Sequence, residues 1–195
     1  MSARTMPAHA APRRVITLKR VLVALGVLVV AFVALVSMQP SEFRVARTTT
    51  ISAPAPAVFA HVNDFHEWEA WNPWGKIDPA MKQTYAGAPA GAGAIYTWVG
   101  NMEVGEGRMT IIESRPSELI RIKLEFLKPL ATTSVAEFTF QPQGDRTVVT
   151  WRMVGESNFM AKAIHLVMDV DKMVGDQFEQ GLARMKSVVE AEPRR

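Results

Sequence analysis

The sequence predicts an α+β protein: a curved antiparallel sheet of about six to seven strands around a long C-terminal helix, plus one N-terminal transmembrane helix. Three observations predict it: an uncharged apolar run near the N-terminus, a central series of segments in which apolar and polar residues alternate, and an apolar stripe of helical period near the C-terminus. The 195 residues are 48% hydrophobic, which fits one domain of ordinary size with a short extra segment.

The N-terminal apolar run, Val21–Met38, contains no charged residue. About 20 apolar residues cross a bilayer as a helix, so the run predicts a retained membrane anchor over residues 21–38. A cleaved signal peptide is the alternative. Its apolar region is usually about 7–15 residues long and closes with a small-x-small cleavage site, which residues 36–38 match poorly.

The basic residues are unevenly distributed. Five of the 22 precede residue 21, where there is no acid, so the remaining 17 face all 19 acids and the rest of the chain carries about −2. By the positive-inside rule this predicts a cytoplasmic tail over residues 1–20 and a periplasmic domain in a bacterial inner membrane. Because the basic excess is in the tail, we predict no nucleic-acid partner.

The predicted organisation after the anchor is a linker over 39–42, a domain over 43–190 and a short tail over 191–195. The chain has no cysteine, which excludes disulfides, thiolate catalysis and cysteine-ligated zinc. His61 and His66 are five residues apart, unlike the i, i+4 spacing of a helical zinc pair. We therefore predict no metal and no cofactor.

The domain is predicted to begin with a strand, Arg44–Ile51, which is rich in β-branched residues. Ser52-Ala53-Pro54 then supplies the cap and first-turn proline of a short helix around residues 58–62. Asn63-Asp64 ends that helix and caps a second one over Phe65–Trp71.

Alternating segments predict the rest of the sheet. In Leu119–Phe126 the isoleucines, Leu124 and Phe126 share one face, and the charged residues share the other, as in an antiparallel strand with one wet face. Gly100-Asn101 is a predicted turn between two such segments. The predicted strands are Lys82–Tyr85, Ala94–Val99, Met102–Val104, Gly107–Ser114, Leu119–Phe126, Ser134–Gln141 and Thr147–Val154.

The last segment has a helical period. Its apolar positions are spaced by three or four residues, which predicts one buried stripe: Val174, Phe178, Leu182, Met185 and Val189. Residues 160–170 are also predicted helical, either as a separate turn or as a kinked start. The C-terminal helix with this stripe is the one predicted element long enough to cover the apolar face of the sheet. A curved sheet around that helix leaves a cavity unless large side chains fill the space.

Several motifs resemble those of a known family. The resemblance covers about residues 43–190 and rests on Ala53-Pro54-x-x-x-Val58-Phe59, Trp68-x-x-Trp71-x-Pro73-Trp74, Gly91-x-Gly93-x-x-Tyr96-x-Trp98 and Glu137-Phe138-x-Phe140. In these motifs and in its order of elements, the chain resembles the START-like helix-grip superfamily, in its polyketide cyclase/dehydrase-like (SRPBCC) branch. That resemblance implies a cavity between sheet and helix that takes a lipid, sterol, quinone, polyketide or other apolar molecule. The anchor departs from the simplest cyclases of that family, which are soluble.

Aromatic and methionine side chains are the predicted lining of that cavity, because apolar pockets are rich in such residues. Core packing is the alternative role for each of them. The predicted set is Trp68, Trp71, Trp74, Tyr96, Trp98, Phe126, Phe138, Trp151, Met153, Met173 and Phe178, with Arg108 and Glu113 as polar contacts.

Three functions are compatible with the sequence. No nucleophile–base pair or phosphate-binding loop is apparent, so no catalytic residue is predicted and a membrane-tethered binder or carrier of an apolar molecule is favoured. A cyclase- or dehydratase-type enzyme would need a titratable group with a shifted pKa inside the cavity. A protein–protein interaction module of the chaperone-activator type would need an exposed apolar patch instead of a deep pocket. Under this third alternative the chain would have a protein partner.

Overall fold

The apolar N-terminal run forms a helix, α1 (Leu18–Ser37). The computed structural model describes residues 18–192, so most of the predicted basic tail and the last three residues of the C-terminal tail lie outside the described residues. Helix α1 is 20 residues long, with a mean hydropathy of 2.6 and 6% of its apolar window buried. By length and composition it can cross a membrane, and a signal sequence would satisfy the same criteria.

The second structural unit begins at Pro40 and holds all the strands of the described chain. Its seven strands form one antiparallel sheet in the order β1-β7-β6-β5-β4-β3-β2. Two 3₁₀ helices, Phe65–Ala70 and Trp74–Lys76, follow the first short helix. The other elements are β1 (Glu42–Ile51), α2 (Ala55–Asn63), β2 (Lys82–Gly87), β3 (Ala94–Val99), β4 (Glu106–Arg115), β5 (Leu119–Lys128), β6 (Thr132–Gln143), β7 (Arg146–Glu156), α3 (Phe159–His165) and α4 (Val170–Ala191).

This architecture confirms the predicted helix-grip fold. The sheet's apolar face and the stripe of α4 pack together, and Phe178, Leu182, Met185 and Val189 are buried between them. Two-residue periodicity on the strands and 3.6-residue periodicity on the helix place these side chains on the facing surfaces. Their burial removes apolar area from water, which is the main favourable term in folding.

One predicted strand is wrong. Residues 102–104 lie in a loop between β3 and β4, not in the sheet. The Asn101 side-chain oxygen accepts hydrogen bonds from the backbone N–H groups of Glu103 (2.8 Å) and Val104 (3.2 Å), and so competes with strand pairing. Gly105, at φ 65°, then closes the loop by donating its N–H to the Asn101 carbonyl.

Two polar contacts join the ends of α4 to the rest of the domain. At its N-terminal end, the Arg47 guanidinium contacts Asp171 (3.0 Å) and Glu179 (2.8 Å), and a Cβ on Gly175 would overlap that guanidinium. At its C-terminal end, Glu190 accepts the Ser52 N–H at 2.6 Å, and this bond lowers the pKa of Glu190. The predicted helical stretch before α4 is a separate short helix, α3.

Candidate functional site

The helix and the sheet do not fill the space between them. A cavity of about 170 Å³ lies between the inner face of the sheet and α4, and apolar side chains make most of its wall. Strands β3 to β7 supply inward-facing residues because every second side chain on a strand points to the same face. The 3₁₀ segments supply Trp68 and Trp74, and α4 supplies Val174 and Phe178.

Eight of the eleven predicted apolar residues line this cavity: Trp68, Trp74, Tyr96, Trp98, Phe126, Trp151, Met153 and Phe178. Five of them lie on strands: Tyr96, Trp98, Phe126, Trp151 and Met153. Their contact with a ligand remains a prediction, since the arrangement establishes only that they surround the same space.

Three predicted lining residues lie elsewhere. Trp71 and Phe138 are fully buried in the core, at 0% exposure, and Trp71 donates its indole N–H to the His61 carbonyl (3.1 Å). Met173 is 49% exposed on α4, one residue before the cavity-lining Val174. Adjacent helix residues point about 100° apart, so Val174 and Met173 face different surroundings.

The two predicted polar contacts are also outside the cavity. Arg108 lies on the outer face of β4 and pairs with Glu125 at 2.9 Å. Hydrogen bonds from Lys123 and Arg108 lower the pKa of Glu125. Glu113 pairs with Arg121 (2.8 Å) and Arg115 (3.2 Å) on the same side. Side chains alternate along β4, so Arg108 points to the face of the sheet away from its inward-facing neighbour Met109. The prediction that Arg108 and Glu113 are polar contacts in the cavity is therefore corrected.

Eight lining residues were absent from the predicted set. The alternation of β4, β5 and β6 places Met109, Leu124 and Ala136 inside, so this signal was present in the sequence. The loop and turn residues had no comparable signal, because their positions depend on tertiary contacts. The eight are Asn72, Met81, Glu103, Val104, Met109, Leu124, Ala136 and Val174.

A stack of aromatic rings forms one wall. Trp151 lies parallel to Phe178, with ring centroids 4.0 Å apart and planes at 7°. Phe138, on the adjacent strand β6, stacks on Trp151 with ring centroids 4.8 Å apart and lies behind the cavity surface. Such contacts add about 0.5–1.5 kcal/mol per pair beyond buried area, so stacking stabilises this wall.

The indole N–H groups differ in how they are satisfied. Trp68 donates to the Val62 carbonyl and Trp98 to the Val104 carbonyl, both at 3.0 Å. The Trp151 N–H is buried and has no acceptor among residues 18–192. The Trp98 bond ties the cavity wall to the loop after β3.

Tyr96 is a lining residue that carries a hydroxyl group. The residue is 4% exposed and lines the cavity, and its hydroxyl makes no hydrogen bond within the described part of the chain. Burial raises the pKa of the Tyr96 hydroxyl. The group is therefore protonated at neutral pH and can act as a hydrogen-bond donor or acceptor.

Gly107 gives Trp98 its place in the wall. A Cβ on Gly107 would overlap the outer edge of the Trp98 ring and lie 2.6 Å from the Glu125 carbonyl oxygen. The indole therefore crosses β4 at a position where only glycine leaves space for it. Trp98 also stacks near Tyr96, with centroids 6.0 Å apart.

Several lining residues are partly exposed and mark the opening of the cavity. Glu103 is exposed on the loop after β3, and Asn72, Trp74 and Val174 are half-buried. Asn72 uses its side-chain oxygen to accept the Trp74 N–H at 3.1 Å. Within residues 18–192 there is no group of three or more His, Asp or Glu side chains suited to a metal ion.

Comparison with protein families gives one clear match. Residues 42–190 match the model of the family described as polyketide cyclase / dehydrase and lipid transport. The matched range starts at β1 and ends within α4, so it contains the complete sheet and nearly all of the covering helix. No curated protein matched the sequence.

Solved structures share the fold at low sequence identity. Protein CV1439 from Chromobacterium violaceum is 16% identical with a TM-score of 0.56, covering 79% of this chain and 100% of its own. Protein MLL2253 from Mesorhizobium loti is 14% identical with a TM-score of 0.57, covering 78% and 100%. The di-domain ARO/CYC BexL from the BE-7585A biosynthetic pathway is 16% identical with a TM-score of 0.57, covering 90% and 60%.

Proposed function

This chain belongs to the polyketide cyclase / dehydrase and lipid transport family, and from that premise we propose that its domain binds a small apolar molecule in the cavity while residues 21–38 hold it at a membrane. The observation that carries the proposal is a cavity left open inside the core and lined by aromatic and aliphatic side chains. Transfer of apolar ligand surface from water into such a site is favourable.

The ligand we propose has a mainly apolar body and at least one polar oxygen. Aromatic rings on the wall suit a flat or polyene body, since ring faces stack on one another. The Tyr96 hydroxyl can then exchange a hydrogen bond with the ligand's oxygen. A lipid, a quinone and a polyketide-like molecule all fit this description.

Binding is favoured over cyclase or dehydratase chemistry by the character of the lining. Such chemistry needs an acid or base near the reacting atoms. Among the described lining residues, Tyr96 and Glu103 are the ionisable ones. The raised pKa of Tyr96 opposes a role as base at neutral pH, and Glu103 is exposed on a loop.

We expect Ala136→Phe to weaken binding by at least about tenfold. Ala136 is buried on β6 and lines the cavity, so the added ring occupies the space that a ligand would take. The measurement is titration of the domain, residues 41–195, with anilinonaphthalene sulfonate, an anionic dye whose aromatic rings bind apolar sites. Native mass spectrometry then detects lipid-sized masses that co-purify with the domain.

The matched control is Val135→Phe. Val135 is the preceding residue on β6 and faces outward, so the same ring is added outside the cavity. We expect its dye affinity to match that of the unaltered domain. Equal affinities for all three proteins, or an Ala136→Phe domain that keeps its co-purified ligand, would contradict binding in this cavity.

For the membrane anchor, we expect the full chain expressed in a bacterium to stay in the membrane pellet after alkaline extraction, with a mass that includes residues 1–38. The double substitution Val29→Arg and Val30→Arg, in the middle of α1, should release the chain from the membrane. Each arginine costs about 2.5–3.5 kcal/mol when it is inserted at the centre of a membrane helix. Arginine at Leu18, the first residue of α1, is the matched control. A soluble product shortened near residue 38 would identify a cleaved signal peptide instead.

A further inference from the structure

Helix α3 and the loop after it expose an unusual amount of apolar surface. The segment 159–168 reads FMAKAIHLVM, and α3 itself has no buried residue. Val167 is 81% exposed, Met160 56% and Phe159 49%. A surface helix normally turns its apolar side chains toward the core, so this segment leaves an unusual share of its apolar surface in water.

An exposed apolar patch of this kind indicates a contact with something other than water. The position of the segment in the chain and its charge indicate what covers it.

The segment is hydrogen-bonded to Ser41, the residue before β1. The Ser41 carbonyl accepts the Ser157 N–H at 2.8 Å, and the Lys162 ammonium donates to the Ser41 hydroxyl at 3.1 Å. Ser41 is four residues after Ser37, the last residue of α1. Four residues span at most roughly 14 Å, so a bilayer crossed by α1 lies within that reach of Ser41.

The charge of the segment suits an anionic surface. Between Glu156 and Asp169 no acid occurs, and the ionisable side chains there are Lys162 and His165. The nearest following acid, Asp169, accepts the Lys172 N–H as the cap of α4. A lysine can lay its aliphatic stem along apolar surface while its ammonium reaches the phosphate groups of a lipid interface.

We propose that residues 159–168 dock on the bilayer that holds the anchor, with Phe159, Met160 and Val167 in the interface. The inference rests on the proposed anchor and does not depend on the identity of the ligand. Val174, on the first turns of α4, lines the opening of the cavity, so docking of the preceding segment would bring that opening toward lipid.

The absence of cysteine allows a direct test with single labels. Val167→Cys carries an environment-sensitive NBD fluorophore in the full chain, reconstituted in vesicles of phosphatidylcholine and phosphatidylglycerol. Ile112→Cys is the matched control, because Ile112 is also apolar and is 50% exposed, but lies on the outer face of β4. Iodide in water and nitroxide-labelled lipids quench each label in turn.

We expect the Val167 label to be quenched by the lipid nitroxides and to show an iodide quenching constant about threefold below that of the Ile112 label. Equal iodide access at both labels, with the chain still resistant to alkaline extraction, would overturn the docking and leave the anchor standing. Protection from iodide without lipid quenching would assign the patch to a protein surface and also overturn it. Release of the chain by alkali would overturn anchor and docking together.

Discussion

Trp71→Ala is expected to lower the free energy of unfolding of the domain by about 3–5 kcal/mol. Trp71 is completely buried, and its ring lies 4.5 Å from Trp68 and 5.8 Å from Trp151. The substitution leaves a cavity behind the aromatic wall and removes the donor to the His61 carbonyl. The measurement is urea unfolding of residues 41–195, followed by circular dichroism.

Trp74→Ala is the matched control for this prediction. Trp74 is half-buried at the opening of the cavity, so its truncation removes fewer contacts from the core. We expect a smaller loss of stability than for Trp71→Ala, together with weaker dye binding. A Trp71→Ala domain as stable as the Trp74→Ala domain would show that the core is not organised around Trp71.

Gly107→Ala is expected to destabilise the domain by roughly 1–3 kcal/mol and to weaken ligand binding. The new methyl group would overlap the Trp98 ring, and the Glu125 carbonyl lies 2.6 Å from it on the adjacent strand. Trp98 must therefore move, which breaks its hydrogen bond to Val104 and deforms the cavity wall. Urea unfolding and the dye titration measure the two effects.

Two further variants make this test specific. Gly75→Ala is the control, because a Cβ there meets nothing within 4 Å and its φ is unstrained. Trp98→Phe removes the overlapping edge of the indole, so adding it to Gly107→Ala should cost less than the sum of the two single changes. Strict additivity would mean that Gly107 is needed for the backbone and not for the Trp98 ring.

The structure places several of the predicted lining residues where a regular element determines direction. Tyr96 and Trp98 on β3, and Trp151 and Met153 on β7, line the cavity, and their contact with a ligand stays a prediction. Phe138 also faces inward, but the neighbouring rings of Trp68, Trp71 and Trp151 cover it. Periodicity therefore assigns a residue to the inner face without deciding whether core or cavity lies in front of it.

The tryptophan cluster shows the same limit in a region without a strand. Trp71 and Trp74 are three residues apart and were equivalent in the sequence, yet Trp71 is buried and Trp74 lines the opening. Short 3₁₀ turns have no extended periodic face, so the direction of each ring depends on the surfaces packed against it. The loop after β3 is similar, because hydrogen bonds to Asn101 replaced the expected strand.

The sequence by itself determined the long apolar N-terminal helix, the antiparallel strands and the covering C-terminal helix, because each repeats a pattern along one element. Only the tertiary structure decided that the interior is left open, which aromatic rings face that space, and that Arg108 and Glu113 pair outside it. The physical reason is that periodicity acts within an element, whereas a cavity depends on how side chains from several elements fill a shared volume.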